Sequence, residues 1–172
     1  MSFSFGLFRF LTYGNIFVVG LFMLLMLMAM LVAPSMTSVV ISLMISGVVL
    51  YHNILCLQLQ RSTMEPSVPL KRNFPPLLII VSVLSFIYSM FVFSTVIEMA
   101  RLSSGEFAKM TMGGQMKQEE VTAEMLDTIR KTVLVLFGIH GLAIAANCVL
   151  SSVFLNKWKK ERQEENDSFL DI

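Results

Sequence analysis

Apolar residues in this chain come in long blocks interrupted only by uncharged side chains. Residues 10–60 form one block without Asp, Glu, Lys or Arg, residues 73–97 a second and residues 132–156 a third. A hydrocarbon core about 30 Å thick takes about 20 helical residues to cross. Each shorter block therefore fits one spanning helix, and the longest fits two with a tight turn between them. Pro34 and Ser35 supply that turn, because proline lacks an N–H and disfavours helix at the residue before it. Ser35, Thr37 and Ser38 can then cap the next helix. The pattern predicts spans at about 13–33, 36–58, 75–97 and 132–155, with Pro75 and Pro76 in the first turn of the third. The expected fold is all-α: an integral membrane four-helix bundle with antiparallel neighbours, occupying residues 1–172 as one domain.

The connections are unequal. Residues 59–74 read as a short extended loop with Pro66 and Pro69. Residues 98–131 form the one connection large enough for structure of its own. There Ser103 and Glu106 have the spacing of a capping box, and Gly113 and Gly114 break the chain. From Glu119 onward, Val121, Met125, Leu126 and Ile129 share one face, which predicts a short amphipathic helix running into span four. Residues 156–172 read as a charged helix end followed by a frayed acidic terminus. Placing the largest loop between spans three and four resembles tetraspan membrane proteins such as the tetraspanins. The loop lacks the cysteines of that family, so no family follows from the likeness.

Composition agrees with the pattern: 55% of residues are hydrophobic and 15% charged, against about 25% charged in an average soluble domain. All the charge lies outside the three blocks. With the N-terminus cytoplasmic, the inner segments carry Arg9, Arg61, Lys71, Arg72, Lys157, Lys159, Lys160 and Arg162. The outer segments carry Arg101, Lys109, Lys117, Arg130 and Lys131. This excess of inner cations predicts cytoplasmic N- and C-termini. Arg61, Lys71 and Arg72 are explained by topology and contact with anionic lipid. Phe3, Phe5, Phe8 and Phe10 suggest an aromatic approach to the interface. The N-terminal stretch does not read as a cleavable signal, since its apolar run exceeds the typical 7–15 residues and Leu31 would occupy the minus-three position. The low charge gives no footprint for nucleic acid.

The polar residues inside the spans carry whatever chemistry there is. His52 lies about five residues inward of its span centre and His140 about four outward, about 13 Å apart in depth at 1.5 Å per residue. Two nitrogens on one zinc need far closer depths, so no metal or haem is expected. Cys56 and Cys148 lie within spans and lack the CxxC spacing of exposed redox pairs. Gly138, Gly141, Ala145, Cys148 and Ser152 recur at steps of three and four, a small-residue face that lets another helix approach closely. Ser42 and Ser46 in span two, and Ser82, Ser85 and Ser89 in span three, can exchange hydrogen bonds inside a bundle. Asn53 and Asn147 lie at comparable depths and can bond across it.

No intramembrane Asp or Glu is present to carry protons, and no nucleophile, metal or phosphate-loop motif occurs. No catalytic residue and no cofactor are expected. The partners expected are the lipid bilayer and either a second copy of this chain or another membrane protein. The expectation is a non-enzymatic multi-pass membrane protein, an accessory, assembly or scaffold subunit acting through helix-face or loop contacts. The alternative is a small channel or transporter subunit with a pathway lined by the serines, Asn53, Asn147 and His52.

Overall fold

A computed structural model describes residues 3–30, 36–65, 67–103, 105–107, 109 and 122–170. The Pro34–Ser35 turn, the Gly113–Gly114 break and Val121 lie outside them. The described residues form four long helices, α1 (Phe3–Met30), α2 (Met36–Met64), α3 (Phe74–Arg101) and α4 (Ala123–Leu170), and residues 105–107 and 109 are also helical. Each of the four is long and apolar enough to cross a membrane, as in a multi-pass membrane protein.

The helices run past the charge-free blocks, α1 starting before Arg9, α2 continuing past Arg61, α3 to Arg101 and α4 beyond both ends of its block. At 48 residues and 1.5 Å per residue, α4 measures about 72 Å, more than twice a hydrocarbon core. Its first turns take in Met125, Leu126 and Ile129, so the helix expected ahead of span four is continuous with it from Ala123. Met125 and Ile129 are exposed and Leu126 is half-buried. At the far end the tail stays helical to Leu170. Lys157–Glu161 and Lys160–Glu164 pairs at 3.7 and 3.9 Å follow the helical i,i+4 spacing there. Between α2 and α3, Val68 N–H donates to Glu65 O and Phe74 N–H to Lys71 O, both at 2.9 Å, so the connection is a pair of turns.

The chain divides into two compact units, residues 1–88 with 143–172, and residues 89–142. In the first, the buried positions alternate by three and four residues. In α1 they are Phe5, Phe8, Thr12, Asn15 and Val19; in α2 the row Ser46, Val49, Asn53, Cys56 and Gln60 has the same spacing, with His52, Leu55, Leu59 and Ser62 buried beside it. This is the seam spacing of helices that pack lengthwise, and α1 and α2 pack on one another. One apolar cluster joins Phe5 and Phe8 to Leu59, Leu78, Phe154 and Leu155. Phe8 stacks on Phe154 at 5.2 Å and Phe5 meets the same ring edge-on. A second cluster holds Val19, Val49, Ile144 and Cys148.

These rings revise the reading of the N-terminal phenylalanines. Phe3 and Phe10 are 89% and 74% exposed, whereas Phe5 and Phe8 are core. Helix from Phe3 onward puts residues 5, 8, 12 and 15 on one side, and residues 3 and 10 on another.

The second unit contains the end of α3 and the start of α4. Arg130 donates to the carbonyl of Leu102, just past the C-terminus of α3, where a cation complements the exposed carbonyls. The same guanidinium pairs with Asp127 at 3.0 Å, and Lys131 with Asp127 at 2.7 Å. Ser103 and Glu106 form the expected reciprocal cap. The backbone N–H and hydroxyl of Ser103 donate to the Glu106 carboxylate at 2.8 and 2.7 Å, and Glu106 N–H donates back to the hydroxyl at 3.3 Å.

Candidate functional site

The candidate site is a string of buried polar side chains within the first unit. α1 supplies Thr12 and Asn15, α2 supplies His52, Asn53, Cys56 and Gln60, α3 supplies Ser82, and α4 supplies Asn147 and Ser151. They sit on the buried seams because lipid can satisfy no polar group, whereas another helix can.

Asn147 is the hub. Its amide donates to Asn53 Oδ1 at 2.8 Å and lies 3.9 Å from Cys56 Sγ. Asn53 in turn donates to the carbonyl of Val49 at 2.7 Å. Gln60 Nε2 donates to Thr12 Oγ1 at 2.8 Å. The single Thr12 proton has two acceptors, Phe8 O at 2.8 Å and Asn147 Oδ1 at 3.2 Å, so the first takes the larger share. Asn15 donates to the carbonyl of Ala143 at 3.3 Å. These bonds tie α1 and α2 to α4.

A second group centres on Ser151. Its hydroxyl donates to the Cys148 carbonyl at 2.8 Å, leaving its lone pairs toward Ser82 Oγ at 3.2 Å and His52 Nε2 at 3.3 Å. His52 Nε2 lies 3.3 Å from Ser151 Oγ and 3.5 Å from Cys56 Sγ, so one ring nitrogen faces both side chains. His52 Nδ1 is buried and has no hydrogen-bond partner among the described residues. The His52–Ser151 contact joins α2 to α4 inside the buried seam. Among the described residues, no three His, Cys, Asp or Glu side chains are grouped to hold a metal ion.

The other candidate residues fall in different settings. Ser42 is half-buried, and Ser46 is buried on the α2 seam. Ser85 and Ser89 are fully buried, and Ser85 Oγ has no hydrogen-bond partner. His140, in the second unit, is buried. The small-residue face of α4 is not uniform. Gly141 is closely packed: a Cβ there would meet Val92 at 3.2 Å and Phe93 at 3.4 Å, whereas one at Gly138 would meet nothing within 4 Å. Ala145 is half-buried, Cys148 buried and Ser152 exposed. Cys148 and Ser152 line an open groove of about 380 Å³ with Ser82, Val83, Phe86 and Val149.

Thr12, Asn15, Gln60 and Ser151 belong to the network without having been singled out from the sequence. The three-four spacing of Thr12 with Phe5 and Phe8, and of Gln60 with Asn53 and Cys56, is the signal that finds them. Compared with known protein families, characterised proteins and solved structures, the chain matches none.

Proposed function

We propose that the four helices pack as an antiparallel four-helix membrane bundle with both termini cytoplasmic. On this reading the protein is a non-enzymatic accessory, assembly or scaffold subunit acting through its helix faces. The observation that carries it is the closed polar network: Thr12, Gln60, Asn53, Asn147, Ser82 and Ser151 are engaged with one another and with backbone carbonyls. A conducting pathway would need the same amides and hydroxyls turned toward water. Their mutual bonding supports a structural role, holding α1, α2 and α3 to α4.

The surface left for a partner is the groove between α3 and α4, where Ser82, Cys148 and Ser152 keep the floor low between Val83 and Phe86. Low relief of this kind admits the side-chain row of another membrane helix, from a second copy or a different protein. Ser152 is exposed, so Ser152→Leu fills the groove without opening the core. The test is affinity purification in mild detergent, with the mass of the complex measured. The expected result is a complex with the wild type that Ser152→Leu dissolves. A strictly monomeric wild type without associated protein would overturn the proposal.

A further inference from the structure

A cavity of about 450 Å³ lies in the first unit where α2 ends, the connection turns and α3 begins. That volume falls within the range of built ligand sites. The lining is graded. Arg61, Lys71, Gln58 and Asn73 are its polar lining; Val68 and Leu70 of the connection join them, and Leu55 on α2 and Leu77 on α3 lie a turn or more further along their helices. From Arg61 to Tyr51 along α2 is about 15 Å at 1.5 Å per residue, about the hydrocarbon depth of one bilayer leaflet. Among the described residues, no acidic side chain lines it. Glu65 approaches Arg61 at 3.6 Å, but both side chains are exposed, and such pairs hold a cation weakly.

The wall formed by the connection is anchored. Ser62 Oγ donates to Val68 O at 2.7 Å, and Trp158 Nε1 donates to Ser62 Oγ at 3.0 Å. The start of α3 does not supply the usual backbone donors for an anion. Phe74 N–H is engaged by Lys71 O, Leu77 N–H by Asn73 O, and Pro75 and Pro76 have none. Recognition must therefore come from the side chains: two cations and two amides, with apolar side chains further along the helices.

We propose that this cavity binds the phosphate headgroup of an anionic phospholipid, with Arg61 and Lys71 on the phosphate and the start of an acyl chain against Leu55 and Leu77. The chemistry recognised is a phosphate monoanion attached to hydrocarbon. A basic pocket between helices on the cytoplasmic side is suited to it. The inference rests on the reading that α2 and α3 span a bilayer. Alkaline extraction of membranes checks that reading separately, since release of the chain would refute spanning whatever the lipid result.

The test uses the full chain in mild detergent, titrated with phosphatidylglycerol, with phosphatidylcholine or with inorganic phosphate. Bound lipid is followed by native mass spectrometry and by the emission of Trp158, the only tryptophan, which bonds Ser62 and through it the cavity-lining Val68. Phosphatidylglycerol should bind and shift Trp158 emission, and the other two should not. Each cation removed near an anionic headgroup costs about fivefold in affinity. Arg61→Gln and Lys71→Gln should each lose about that, and the double variant about 25-fold. Arg72→Gln removes the neighbouring charge that does not line the cavity and should change binding less than about twofold. Unchanged far-ultraviolet circular dichroism shows that the variants fold, and the single variants decide the matter if the double one does not. Equal loss with Arg72→Gln, binding of phosphatidylcholine as tight as phosphatidylglycerol, full response to inorganic phosphate alone, or retained affinity in both single variants would each overturn the proposal.

Discussion

Replacing Asn147 with alanine removes the amide that donates to Asn53 at 2.8 Å and accepts from Thr12 at 3.2 Å. Asn53 keeps its own bond to Val49 O, but its Oδ1 is stranded in a buried site. A buried polar atom left without a partner costs about 1–3 kcal/mol, so Asn147→Ala should destabilise by about that much. The pairwise part is smaller, because side chains in a membrane-unfolded state also find partners. Interhelical couplings there average about 0.6 kcal/mol and reach about 1.7. The two bonds of Asn147 should be unequal. The Asn53 bond is short and has its donor to itself, whereas the Thr12 proton is shared with Phe8 O at 2.8 Å. Double-mutant cycles of Asn147→Ala with Asn53→Ala and with Thr12→Val should therefore give a clear coupling for the first pair and a smaller one for the second. The assay is reversible unfolding in mixed micelles, followed by circular dichroism and Trp158 fluorescence. A first coupling within about 0.3 kcal/mol of zero, or a second coupling larger than the first, would refute the hydrogen-bond hierarchy.

Gly141 and Gly138 should respond in opposite ways to added bulk. Gly141→Leu drives a branched side chain into Val92 and Phe93 and should cost about 1–3 kcal/mol by overpacking. Gly138→Ala has open space and should stabilise by up to about 1 kcal/mol through helix propensity; thermal melting in detergent separates the two, and equal melting points would discredit the packing of that face. The hydroxyl and then the backbone N–H of Ser103 hold the Glu106 carboxyl below its ordinary value. A depressed folded-state value means the cap contributes above the ordinary carboxylate range and is lost as pH falls through the lowered one. Carboxyl-carbon resonance titration should show the depressed midpoint, and Ser103→Ala, which removes the hydroxyl but keeps the backbone N–H, should raise it part of the way back; an unshifted midpoint in the wild type would rule the cap out in solution.

The distribution of charge made the helices legible, because a spanning helix must exclude charge over about 20 residues. The Ser103–Glu106 cap was equally legible, since its geometry depends only on local spacing. Which face of each helix turns inward was harder to read. In a membrane protein the lipid-facing side is as apolar as the core, so hydrophobic periodicity loses its contrast. Residue size pointed to Gly138, Gly141, Ala145, Cys148 and Ser152 on α4. The stripe buried in the first unit is instead Ile144, Asn147, Cys148, Ser151, Phe154 and Leu155, one residue aside at Ser151. Thr12 and Gln60 escaped notice because they lie just beyond the expected span limits, at Tyr13 and Gln58, while the helices run on. Asn53 and Asn147 were recoverable because a buried amide in a span has few partners, and depth alone matched them.

The account stands or falls on four helices crossing a membrane, which puts the α2–α3 and α3–α4 connections on opposite sides. The direct measurement is labelling of single cysteines at Glu65→Cys and Lys109→Cys, with Cys56 and Cys148 replaced by serine or alanine, using an impermeant maleimide on intact and then permeabilised cells. The predicted result is that position 109 labels from outside in intact cells and position 65 only after permeabilisation. Labelling of both positions from the same side would contradict the four-span architecture.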